Sequence, residues 1–146
     1  MPAPLPPVFR PVADEAALNA AMPDARELLL RRMTGVTVVD PATTYIDPRC
    51  SIAPGVTLLP GTILRGHTAI GSGCEIGPNA MVRDCIVGKD TTINASQVNE
   101  STIGSHTTVG PFTYVRPNCR IGDHCRVGDF VEVKNSVIGD GTKISH

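Results

Sequence analysis

A chain of 146 residues is the size of one domain, yet two Tyr, three Phe and no Trp leave it without the bulky rings that fill an ordinary globular core. A formal net charge of −1 excludes a global electrostatic pull toward nucleic acid or a membrane surface. No apolar run approaches the roughly 20 residues of a membrane-spanning helix, and the N-terminus lacks the charged start and apolar core of a signal peptide, so a cytoplasmic location is expected.

Residues 1–12 carry prolines at 2, 4, 6, 7 and 11 and are predicted to be extended and disordered. Residues 13–35 read as a linker helix region, rich in Ala and Leu. Pro23 divides it, Asp24 and the Arg31-Arg32 pair suit the two ends of the second piece, and Gly35 closes it. Leu28, Leu29 and Met33 are expected to pack that piece onto a neighbour.

From residue 36 the periodicity changes. Ile46, Ile52, Leu58, Leu64, Ile70, Ile76 and Val82 recur at intervals of six. The series continues through Val87, Ile93, Val98, Ile103, Val109, Val115, Ile121, Val127, Val133, Ile138 and Ile144, with five-residue steps at 82–87, 93–98, 98–103 and 133–138. A period of six fits neither a helix nor a half-buried strand. It is the mark of a hexapeptide β-helix, in which three hexads close one coil. Four residues after most aliphatics stands a small residue, among them Cys50, Thr62, Cys74, Thr91, Thr107 and Cys125, suited to a corner where the interior narrows. Residues 36–146 therefore read as all-β, a hexapeptide-repeat parallel β-helix of about six coils preceded by a short α-helical linker. The five cysteines form no CxxC pattern and are read as structural. The end at His146, two residues into a hexad, is expected to reflect truncation or a covering partner, because an uncapped coil exposes unpaired strand groups.

Stacking the hexads produces columns. On one prism face the residues following the aliphatics are Asp47, Arg65, Arg83, Asn99, Arg116 and Lys134. Arg116 and Lys134 are adjacent in this column, and two cations that close favour an anion such as a phosphate between them. His146 falls above Asp129, where a carboxylate would orient the imidazole as a general base. His106 and His124 share a corner and could form half of a zinc site. Phe112 and Phe130 share another, read as packing or interface. Gly71-Ser72-Gly73 is a corner and not a dinucleotide loop, since no helix follows.

Several strings occur together in one order: Gly35-Val36-Thr37-Val38-Val39-Asp40-Pro41, Pro60-Gly61-Thr62-Ile63-Leu64-Arg65-Gly66, Ile76-Gly77-Pro78-Asn79, Gly110-Pro111-Phe112, Val115-Arg116-Pro117, Phe130-Val131-Glu132-Val133-Lys134 and Gly141-Thr142-Lys143-Ile144-Ser145-His146. Across 24–146 the chain thereby resembles the bacterial bifunctional uridylyltransferase/acetyltransferase of UDP-N-acetylglucosamine synthesis. The resemblance implies a left-handed β-helix and glucosamine-1-phosphate N-acetyltransferase chemistry, with acetyl-CoA as co-substrate. It implies Arg116 and Lys134 as ligands of the sugar phosphate or UDP-sugar, and His146 as the base that takes a proton from the sugar 2-amino group. A homotrimer is implied as well. Asp129 departs from the family's Asn, and Asn135 stands where a second Lys is common. The uridylyltransferase domain, to which Mg2+ belongs, has no counterpart in the chain, nor do the later coils that hold acetyl-CoA. The expectation is thus a partial acetyltransferase, inactive alone. The alternatives are a non-catalytic trimerising scaffold and a zinc-dependent hydratase of the β-helix carbonic anhydrase type using His106 and His124.

Overall fold

The computed structural model describes Ala16, Ala17, Ala20, Met22 and residues 33–146. The chain divides at Thr34/Gly35 into two units. In the first, Ala16, Ala17, Ala20 and Met22 are helical. The Pro-rich segment 1–12 and the helical piece expected over 24–32 lie outside the described residues.

The second unit is a left-handed parallel β-helix of about six coils. Strands of two or three residues stack into three parallel sheets, one of seven strands and two of six. The inward residues of the first face are Val38, Leu58, Ile76, Ile93, Val109, Val127 and Ile144. The second face contributes Ile46, Leu64, Val82, Val98, Val115 and Val133. The third contributes Ile52, Ile70, Val87, Ile103, Ile121 and Ile138. Every position of the predicted series points inward. Fifteen of them are buried, and Ile52, Ile138 and Ile144 of the first and last coils are half-buried. Val38, paired to Leu58 across a longer first coil, extends the series one strand earlier than the six-residue beat reveals.

Polar side chains on the inward corner columns hold the coils in register. Thr91 Oγ1 donates to the Gly104 carbonyl at 2.6 Å and accepts from the Thr107 amide at 3.3 Å. Thr107 Oγ1 repeats the pattern one coil higher, donating to Gly122 at 2.8 Å and accepting from the Cys125 amide at 3.2 Å. The Cys125 and Cys74 thiols donate to the carbonyls of Gly139 and Gly88. All buried side-chain N and O atoms of the described residues find partners. Cys85, Ser96 and Ser101 occupy the same inward slot within the five-residue steps, so the column is unbroken.

The five-residue steps close by a specific backbone device. Asp84, Ala95, Glu100 and Asn135, each two residues past an aliphatic, adopt left-handed φ values of 50, 43, 44 and 44°. Most six-residue corners place the left-handed residue one position later, at Asn79, Asp90, His106, Phe112, Asn118, His124 and Phe130. Moving the turn one position earlier removes one outward residue and leaves both inward points in place.

Candidate functional site

The second face carries two outward columns, because strand alternation turns the residues on either side of each inward aliphatic to the exterior. One is apolar for most of its length: Tyr45, Ile63, Met81, Gln97, Tyr114 and Glu132. The other is the predicted charged column. Arg65 pairs in register with Arg83, and Arg83 with Asn99. The next strands bring Arg116 and Lys134 onto consecutive coils, since Val115 is matched to Val133.

Among the described residues, carboxylates accompany two of the four cations of this column, Arg83 and Arg116. Asp47 at the foot of the column accepts hydrogen bonds from Arg49 Nη2 at 2.7 Å and Nε at 3.1 Å. It also accepts from the amides of Arg49 and Gly66. The Arg49 guanidinium, followed by these amides, holds the Asp47 carboxyl well below the usual carboxylate range. Arg83 donates from Nε to Asn99 Oδ1 at 3.3 Å, with Asp84 and Glu100 carboxylates at 3.9 and 3.7 Å from Nη1. Arg116 Nη1 lies 3.2 Å from Glu132 Oε1. Lys134 is exposed and, among the described residues, has no ion-pair partner. The upper end of the column is therefore a guanidinium oriented by one carboxylate, beside a free ammonium. Glu132 was not singled out by the sequence reading, although the alternation Glu132-Val133-Lys134 already puts both charges on the outer face.

His146 is exposed and follows Ile144, whose pairing with Val127 places it over Asp129 as expected. Among the described residues the two side chains form no ion pair; His146 is exposed and Asp129 half-buried. His146 stands at the corner that leads into the second face, whereas Lys134 leaves from its far side. Asp129 and Lys134 are five residues apart, so the two edges are separated by no more than about 17 Å.

His106 and His124 stack with ring centroids 4.9 Å apart and planes 5° from parallel, and His106 Nδ1 lies 3.9 Å from Asp90 Oδ2. Rings so stacked direct their in-plane lone pairs side by side and not at a common point. Among the described residues no three His, Cys, Asp or Glu side chains gather in a metal-holding group. Phe112 and Phe130 stack at 5.7 Å on the corner before the second face, 60% and 79% exposed. Beside them an open groove of about 840 Å³ runs past Ile63, Met81, Gln97 and Tyr114. Burial pushes the Cys85 thiol up to about 11 and raises those of Cys50 and Cys74. Among the described residues no helix is long and apolar enough to cross a membrane.

With these features in place, comparison with known proteins locates the chain among its relatives. The profile of the GMPPB C-terminal domain matches residues 34–138. The chain belongs to that family. The match covers most of the solenoid and ends before its last strand, Lys143–Ile144; the finer resemblance to the bifunctional uridylyltransferase/acetyltransferase is not itself shown. No functionally curated protein matches the chain. Among solved structures, this GMPPB-type domain is similar to the GDP-perosamine N-acetyltransferase of Caulobacter crescentus, solved with CoA and GDP-perosamine. The two share 20% identity and a TM-score of 0.69, over 88% of this chain and 61% of that one. The acetyltransferase domain of PglB from Neisseria gonorrhoeae, solved with acetyl coenzyme A, shares 15% identity and a TM-score of 0.71, over 88% and 63%. At these identities the likeness establishes the fold. The chain spans about three fifths of the length of these structures.

Proposed function

We propose that this β-helix serves a sugar N-acetyltransferase that uses acetyl-CoA, and that it contributes the sugar-phosphate contacts and the base. The observation that carries the reading is the pairing of Arg116 and Lys134 on consecutive coils, with Glu132 orienting the guanidinium and the ammonium left free. A phosphate monoester seated there accepts charge-assisted hydrogen bonds from both cations and relieves their repulsion. Glucosamine-1-phosphate is the substrate that the sequence resemblance favours. The fold's likeness to acetyltransferases solved with CoA or acetyl-CoA supports the donor class.

In the reaction the sugar 2-amino nitrogen attacks the thioester carbonyl carbon. A carbon–nitrogen bond forms, the carbon–sulfur bond breaks, and His146 Nε2 or Nδ1 takes the proton that the nitrogen sheds. That proton passes on to the departing CoA thiolate. His146 and the Arg116/Lys134 pair occupy opposite edges of one face, so we assign the complete site to neighbouring copies in a homotrimer packed through this face. The apolar column Tyr45, Ile63, Met81 and Tyr114 would then be covered by a neighbour.

Calorimetric titration with glucosamine-1-phosphate tests the reading. Arg116→Ala should weaken binding about tenfold or more, the loss of one hydrogen bond to a charged group. Undiminished affinity in that variant would overturn it. The exposed apolar column also favours a second reading, a non-catalytic trimerising scaffold. Sedimentation showing trimers, with no sugar-phosphate binding and no CoA thiol release, would select the scaffold.

A further inference from the structure

We propose that the upper end of the first face is an anion site in its own right, formed by Arg126 and Lys143 above the hydroxyl of Thr108, and that it takes a diphosphate group. Thr108 pairs in register with Arg126, and Arg126 with Lys143. All three side chains are exposed, and each step along the column is about one strand spacing, ~4.8 Å. Residues matched in register on neighbouring strands cannot avoid one another, and like charges there repel.

Neither member of this pair is compensated. On the second face Arg83 is flanked by Asp84 and Glu100, and Arg116 by Glu132. Among the described residues neither Arg126 nor Lys143 has an ion-pair partner. The acids at the preceding corner are committed elsewhere: Asp123 accepts the Ser105 amide and Asp140 accepts the Asp123 amide, each at 2.7 Å. The one acid on the same column, Glu75, lies below Thr92 and Thr108.

A free hydroxyl, a guanidinium fork and an ammonium at successive steps on a rigid flat sheet present a line of donors with no carboxylate among them. Two linked phosphoryl groups match that line. One phosphoryl can sit between Arg126 and Lys143, with the fork taking two of its oxygens, and the next can reach Thr108. This site shares no residue with the proposed sugar-phosphate pair, so each can fail alone.

Inorganic pyrophosphate titrated into the protein at low ionic strength tests the proposal. Binding is expected, weakening as salt is raised. In an Arg116→Ala background, which removes the other proposed phosphate pair, Arg126→Ala and Lys143→Ala should each weaken it about tenfold or more. ADP as a second titrant separates the two sources of a diphosphate: tighter binding than pyrophosphate assigns a nucleotide, weaker binding the free anion. Lys143→Glu gives Arg126 a carboxylate partner, and should raise the thermal midpoint while abolishing pyrophosphate binding in the same Arg116→Ala background. No binding by the unsubstituted protein would overturn the proposal. So would full affinity on adding Arg126→Ala or Lys143→Glu to that background.

Discussion

Replacing Thr107 by Val keeps the shape of a buried side chain and removes one atom on which two coils depend. Thr107 is 1% exposed, and its hydroxyl is both donor and acceptor in the corner column. It donates to the Gly122 carbonyl at 2.8 Å and to that of Ser105 at 3.3 Å, and it accepts the Cys125 amide at 3.2 Å. The second methyl of Val restores none of these. The amide of Cys125 and the carbonyl of Gly122 would each be left buried without this partner, at about 1–3 kcal/mol per group. Some relaxation is available at the Gly122 carbonyl, so the expected total is about 2–4 kcal/mol. Thr107→Ser retains the hydroxyl and loses one methyl, which should cost about 1 kcal/mol. Urea unfolding followed by far-ultraviolet circular dichroism measures both, with an unchanged m-value showing that the same surface is exposed. A Thr107→Val protein within about 0.5 kcal/mol of the parent, the range of an ordinary surface change, would refute the idea that inward hydroxyls hold the coils together.

Asp47 gives the fold an acid-sensitive contact at its lower end. Its carboxyl is held below the usual range by Arg49, so its contribution is complete above the unfolded-state pKa near 4 and fades as pH falls below it. Asp47→Asn should therefore destabilise the protein at pH 7, with the difference shrinking below about pH 4; a pH-independent difference would exclude the ionic contribution. Thiol labelling of the native protein at pH 8 should modify Cys50 first and leave Cys85 unmodified, because Cys85 is buried with its thiol raised to about 11. All five cysteines should label in denaturant, and rapid native labelling of Cys85 would show that its corner opens.

The fold was legible because one physical requirement repeats: an inward strand position on each side of each coil admits only Ile, Leu or Val. Eighteen such residues in register leave no other architecture to choose. Val38 was missed because the first coil is longer than the rest, which breaks the beat without breaking the pairing. The charged column could be read in part. Strand alternation gave Arg116 and Lys134 their common face, but which cation finds a carboxylate depends on side-chain reach. That is why Glu132 beside Arg116, and the lack of an ion-pair partner for Arg126 among the described residues, emerged only in three dimensions. His146 over Asp129 was right in register, yet register does not turn two side chains toward each other.

The corners with an early left-handed residue bear on how relatives of this chain should be compared. A residue lost within a strand would reverse the facing of everything after it in that strand, whereas a residue lost at a corner, as at Asp84, Ala95, Glu100 and Asn135, changes only the outer surface. Insertions and deletions accumulated over descent are thus confined to three lines running up the edges of the prism. Two such proteins at 14–20% identity can be superposed coil on coil while a letter-by-letter alignment drifts by one at each early turn. Gaps placed at those edges, and nowhere else, keep homologous inward positions opposite one another.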